Sequence, residues 1–303
     1  MAPAYPTRGA RMLGCAVPNP PEFVFHPDGD GFVPTELARG PWYPNTQHGS
    51  PMLALLARAV EQVPAERAAQ VTRLTVDLMR AAPMSRVRAA ARIVRAGSSV
   101  EVLEADLFAG DELCARASAL RFRVADVAVP SDSEGSERPP ELPERAAHFP
   151  WTDRRAGVPE NPLQHVLEMR PVPGFESPTA WLRLRVPLVA GEANTPLVRI
   201  AFISDMTYSV PFMRTMARDR EAMFRRPFVA INPDTTVNLH RPAAGEWICL
   251  DARATYDSHG AGTASARLFD QRGPIGHSSQ SLLVRGIEAR PESWKRFERD
   301  ASD

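Results

Sequence analysis

The sequence predicts an α+β fold built twice. Three observations carry this: apolar residues at helical spacing in each half, period-two alternation in the stretches that follow, and a constant offset between the halves. Val76 and Val237, Leu78 and Leu239, Arg80 and Arg241, Arg92 and Arg253, Leu107 and Leu268, and Phe108 and Phe269 are all 161 positions apart. Without a gap, residues 76–118 share ten identities with 237–279. Ordinary composition would give roughly three or four. The chain is therefore read as an internal duplication, each unit being one long helix followed by antiparallel strands that wrap it and bury its apolar face.

The elements follow in order. "EFVFHPDGDGFVPTEL" reads as a hairpin turning at Asp28-Gly29-Asp30-Gly31. In "SPMLALLARAVEQV", Met52, Leu55, Leu56 and Val60 fall on one helical face, with Ser50 placed as N-cap and Pro51 at the first helical position. Alternation then marks strands through Leu74, Val76 and Leu78, and through Val87, Ala89, Ala91 and Ile93. A further run, Leu113, Ala115, Ala117 and Ala119, changes parity to Leu120, Phe122 and Val124, which predicts a bulge. After a Pro-, Ser- and charge-rich stretch, "VLEMRPVPGFESPTAWLRLRVPL" supplies extra strands and Pro211 opens a helix over "PFMRTMARDREAMF". Strands return with Val237 and Leu239, then Ile248, Leu250, Ala252, Ala254 and Tyr256.

These elements divide the chain into an N-terminal extension (1–21), a first unit (22–128), a linker (129–162), a second unit (163–290) and a tail (291–303). Thirty-six basic and thirty-six acidic side chains cancel, so no positive field favours nucleic acid. The Pro-rich start has no apolar run fit for a secretory leader, and no segment approaches the ~20 apolar residues of a membrane span, so a cytoplasmic protein is expected. Cys15, Cys114 and Cys249 form no C-x-x-C pair and suggest neither disulfides nor zinc. No G-x-S-x-G elbow marks a serine hydrolase.

Four motifs then carry a resemblance: "QHGSPMLALL" at 47–56, "ISDMTYSVPF" at 203–212, "INPDTTVNLHRP" at 231–242 with "GEW" at 245–247, and "GHSSQSLLVRG" at 276–286. Together they resemble the acyl-CoA thioesterase II type of the double hotdog superfamily, over nearly the whole chain. The resemblance implies two antiparallel sheets, each wrapped around a long central helix. It also implies hydrolysis of acyl-CoA by a water that an Asp, a Ser or Thr, and a Gln hold together. Matched residue by residue, the acid is Asp205, the amide Gln280, and the hydroxyl position falls on Asn232. His48, Gly49 and Tyr208 stand where helix starts would meet the substrate, and either the His48–Gly49 end or the Tyr208 end could supply oxyanion donors.

The chemistry suits these types. A thioester carbonyl is activated enough for attack by a water that a carboxylate orients, without a covalent enzyme nucleophile. Asparagine, like a hydroxyl, both donates and accepts. The expected partner is acyl-CoA; no cofactor or metal is implied, and double hotdog proteins commonly assemble into homo-oligomers. Two alternatives remain: a non-catalytic acyl-CoA-binding protein in which Asn232 replaced the hydroxyl, and a hotdog enoyl-CoA hydratase, whose Asp-x-x-x-x-His motif precedes neither helix.

Overall fold

A computed structural model describes residues 21–41, 43, 45–130, 137–145, 162–173, 178–218 and 228–286. The predicted hairpin forms from β1 (Phe25–Asp28) and β2 (Gly31–Pro34), with Gly29 at φ 59° in its turn. A 3-10 turn at Glu36–Ala38 leads to α1 (Gly49–Gln62). Four strands follow, β3 (Ala69–Leu78), β4 (Arg88–Arg95), β5 (Val100–Ala109) and β6 (Glu112–Arg123). The second half opens with a single helical turn, α2 (Leu163–Val166), then β7 (Leu167–Pro171) and β8 (Thr179–Leu184). Next come α3 (Pro196–Ser204), a 3-10 turn at Asp205–Thr207, and α4 (Ser209–Arg218). The strands β9 (Phe228–Ile231), β10 (Asp234–Leu239), β11 (Ile248–Tyr256), β12 (Ala261–Asp270) and β13 (Gly273–Gly286) complete it.

The two expected sheets join edge to edge into one. Eleven strands run in the order β4-β5-β6-β3-β10-β13-β12-β11-β8-β7, with β9 also on β13. The halves meet at β3 and β10, so neither exposes that edge. In this joint Thr236 lies directly opposite Thr75, and its hydroxyl donates to Thr75 Oγ1 at 3.1 Å. These two residues are 161 positions apart, so each faces its own repeat counterpart. The duplication in the sequence is therefore a pseudo-twofold axis in the fold, passing through this threonine pair.

Both halves carry the same one-residue register slip. In the first half it falls between Val71 and Arg73 within the continuous β3. In the second it separates β9 from β10, where Asn232 and Pro233 interrupt the strand and Pro233 has no N–H for the ladder.

α1 is buried almost all round, from Ser50 through Ala57 and again at Ala59 and Val60, against β4, β5 and α3. Burial of Leu53, Leu55, Leu56 and Val60 contributes about 1.5–3 kcal/mol each. Its counterpart is not one long helix. α3 precedes the expected start at Pro211, and the Asp205–Thr207 turn separates it from α4; the predicted helix beyond Arg218 lies outside the described residues. α3 escaped the periodicity because "PLVRIAFIS" is apolar on nearly every side, with Leu197, Val198, Ile200, Ala201, Phe202 and Ile203 all buried. Thr195 caps it, Oγ1 accepting the Val198 N–H at 3.2 Å.

Two further expectations are corrected. The N-cap of α1 is His48, not Ser50. The parity change in β6 is not a change of face: Arg121 is buried while Phe122 is 40 % exposed. Arg121 reaches Glu101 at 2.7 Å and the carbonyls of Val63 and Pro64 at 2.6 and 3.1 Å, so it satisfies the end of α1 from inside. The slip in β6 lies instead near Cys114, opposite Leu107 and Phe108 of β5.

Part of the linker docks. Leu142 packs on the cluster of Val172, Trp181, Trp247, Cys249 and Phe269. Trp181 Nε1 donates to Pro140 O at 3.2 Å, and Arg170 to Pro143 O at 2.8 Å. Linker residues 131–136 and 146–161, the extension before residue 21 and the tail lie outside the described residues. Among the described residues no helix is long and apolar enough to cross a membrane.

Candidate active site

The start of α1 leaves one backbone donor open. His48 Nδ1 accepts the Ser50 N–H at 3.1 Å, His48 N–H donates to Ala38 O at 2.8 Å, and Pro51 has no N–H. The Gly49 N–H has no partner among the described residues. It points out of a helix N-terminus, where the dipole favours negative charge.

Against this helix end stands Asp205, 5 % exposed, in the turn between α3 and α4. Its Oδ2 accepts the Ser50 hydroxyl at 2.8 Å and lies 3.2 Å from His48 Nδ1. Its Oδ1 accepts Asn232 Nδ2 at 2.9 Å. His48 Nδ1 serves one partner at a time: protonated it donates to Asp205, bare it accepts from Ser50. A carboxylate only accepts, so the Asn232 amide must turn its nitrogen to Asp205, which leaves its own oxygen as an acceptor. With Ser50 on Oδ2 and Asn232 on Oδ1, each oxygen keeps one further acceptor position while His48 Nδ1 accepts from Ser50; a proton on Nδ1 fills the one on Oδ2 and leaves the one beside Asn232.

Burial alone would raise the Asp205 pKa. Hydrogen bonds from His48, Asn232 and Ser50, with the charge of His48, outweigh burial and hold the carboxyl below the ordinary aspartate range. The group is anionic at neutral pH. Space is also exact here: a Cβ on Gly49 would stand 2.9 Å from Asp205 Oδ2, so only glycine leaves the carboxylate in place.

Gln280, buried in β13, holds the turn rather than the carboxylate. Its Oε1 accepts the Tyr208 N–H at 2.9 Å, and its Nε2 donates to Thr235 Oγ1 at 2.9 Å and Asp205 O at 3.1 Å. Thr207 adds a second pin, its hydroxyl 2.6 Å from that of Ser278 and 2.7 Å from Ser204 O. The Tyr208 N–H is thus occupied, and its ring sits beside Phe212 and Tyr256, at 6.0 and 6.3 Å. Of the two candidate oxyanion ends, the one at Gly49 keeps an open donor.

The structure therefore gathers Asp205, Asn232, His48 and Gly49 around one carboxylate, and sets Gln280 and Tyr208 behind it. Sequence reasoning missed Ser50, Thr207, Thr235 and Ser278. All four lie inside the four motifs, but nothing local shows a hydroxyl aimed across the chain, 71 residues for Thr207 and 155 for Ser50. Arg241 of the same strand motif is structural: it grips Asp270 at 2.5 and 2.8 Å. The pseudo-dyad does not repeat the two amides, since the counterparts of Asn232 and Gln280 are Val71 and Ala119.

No curated protein matches the sequence. Among solved structures, the chain is similar to a hot dog fold protein from Alicyclobacillus acidocaldarius, at 17 % identity and TM-score 0.61, over 86 % of this chain and 96 % of that one. It is also similar to the acyl-CoA thioesterase II TesB2 of Mycobacterium marinum, at 18 % identity, TM-score 0.57, and 86 % and 94 % coverage. A tesB protein of Mycobacterium avium subs paratuberculosis gives 16 % identity, TM-score 0.56, and 86 % and 95 % coverage. These likenesses establish the hotdog fold. The family itself comes from the sequence, because the model of the acyl-CoA thioesterase N-terminal domain matches residues 38–122, which hold His48, Gly49 and Ser50. The model of the acyl-CoA thioesterase C-terminal domain matches 129–284, which hold Asp205, Asn232 and Gln280, and the chain accordingly belongs to the acyl-CoA thioesterase family and is a thioester hydrolase.

Proposed function

We propose that the chain hydrolyses acyl-CoA to a free fatty acid and CoA at one site, with Asp205 as general base. The observation that carries this reading is the buried, anionic Asp205 carboxylate packed against Gly49, whose N–H is open, with Asn232 on Oδ1. A water seated there donates one proton to Asp205 Oδ1 and the other to the Asn232 amide oxygen. Its oxygen is then aimed by two acceptors. As Asp205 takes the proton, the oxygen adds to the thioester carbonyl and the oxyanion develops toward the Gly49 N–H. The C–S bond then breaks, sulfur leaves with the electron pair, and the proton on Asp205 passes to the thiolate.

Asn232 fills the family's hydroxyl position by a different route: its nitrogen anchors to the carboxylate while its oxygen faces the water. Gln280 acts one step removed, fixing the backbone on both sides of Asp205. The test is free-thiol release from acyl-CoA of short, medium and long chains, with the native protein and Asp205→Asn. Release that Asp205→Asn abolishes supports the reading; no release from any chain length favours acyl-CoA binding without hydrolysis. Hydration of crotonyl-CoA with the thioester intact would favour the hydratase.

A further inference from the structure

We infer that Ser50 is a positioning residue for the Asp205 carboxylate, supplied to the second half's chemistry by the first half. The inference rests on Asp205 being the base, and assigns to Ser50 a role apart from helix capping.

Four facts lead to it. The N-cap position is filled by His48, so the Ser50 hydroxyl is free of that duty. The hydroxyl donates to Asp205 Oδ2 at 2.8 Å, shorter than the His48 approach of 3.2 Å to the same oxygen. Ser50 is completely buried, so water does not compete for this bond. Finally, the bond joins α1 to the turn after α3, two elements from opposite halves that pack directly together.

The consequence is a division of labour between the carboxylate oxygens. Ser50 holds Oδ2, and a His48 that carries a proton on Nδ1 joins it there, which leaves the water Oδ1, beside Asn232. Rotation of the carboxylate about its Cβ–Cγ bond would exchange the oxygens and lose the alignment. Serine at position 50 resists that rotation with a donor that carries no charge and does not titrate near neutrality. The charged or titratable group facing the carboxylate is His48 from the α1 end; Asn232 from the strand break and Ser50 are neutral.

The experiment compares Ser50→Ala and Ser50→Thr with the native protein, reading kcat and KM for acyl-CoA hydrolysis from pH 3 to 9. Loss of one donor makes the carboxylate easier to protonate, so Ser50→Ala should move the acid limb of kcat upward by about one pH unit. KM should stay within about twofold, and Ser50→Thr should restore the native limb. An acid limb that coincides with the native one in a folded Ser50→Ala protein overturns the inference. Where Ser50→Ala does not fold, it is combined with Asp205→Asn, which removes the charge that the hydroxyl serves. Recovery of folding in the double variant supports the role, and failure to recover assigns Ser50 to packing and overturns it. Asp205→Asn alone tests the underlying reading: if it remains active, the proposed function fails whatever Ser50 does.

Discussion

Gly49→Ala probes the site where its tolerances are tightest. The added Cβ would stand 2.9 Å from Asp205 Oδ2, 3.1 Å from Oδ1 and 3.2 Å from Cγ, whereas ordinary contact begins at 3.4 Å. The carboxylate must retreat by about half an ångström. Ser50 at 2.8 Å and Asn232 at 2.9 Å cannot both follow, because they sit on α1 and on the strand break, on different sides of it. A misplacement of ~1 Å costs about 100-fold, so half of that predicts about tenfold in kcat. Stability should change less. Alanine is favoured over glycine in a helix by about 1 kcal/mol, against an overpacking cost of about 1–3 kcal/mol, for a net loss of about 0–2 kcal/mol. The backbone N–H survives the substitution, so the loss reads the carboxylate and not the oxyanion donor. Steady-state thiol release gives kcat and a circular dichroism melt gives stability. A folded Gly49→Ala protein with native kcat would refute the reasoning that the carboxylate must stay where it is.

Two predictions concern the groups behind the site. Gln280→Leu leaves the Tyr208 N–H, the Asp205 carbonyl and the Thr235 hydroxyl without their buried partner, at about 1–3 kcal/mol each before relaxation. The variant should melt lower and lose activity together, and a native melting curve would contradict this. Asp270 is fully buried, takes both Arg241 nitrogens, and accepts the N–H groups of Ala244, Arg272 and Gly273. Burial raises its pKa, but Arg241 and these donors outweigh burial and lower it. Because the folded value is depressed, its stabilisation is present above the unfolded value of about 3.9 and disappears as pH falls through the folded value. Asp270→Ala should therefore cost about 3–5 kcal/mol at neutral pH and flatten the acid side of the stability curve, as read by urea unfolding at several pH values.

The repeated part of this fold was legible because burial repeats with it. Strand alternation and the constant offset located β3 to β6 against β10 to β13, and Thr75 with Thr236 shows the offset as geometry. What escaped were residues whose environment no local period reports. α3 has no polar face to give it an amphipathic stripe. Arg121 occupies a buried strand position because the end of α1 needs a donor there, a need visible only once the helix is placed. Asp205, Asn232 and Gln280 were found through motif resemblance, but the roles divide by distance: Asn232 touches the carboxylate, while Gln280 touches the backbone that carries it. Ser50 was read as a cap because serine before a proline and an apolar run ordinarily is one. Its partner lies in the other half of the chain.

The central claim, that one carboxylate drives hydrolysis for the whole chain, is tested most directly by Asp205→Asn. The substitution keeps the size of the side chain and removes its charge. The variant should fold, and its thiol release from acyl-CoA should fall by about 10²–10⁴-fold, the range expected on losing a general base. Native release from the folded Asp205→Asn protein would contradict it.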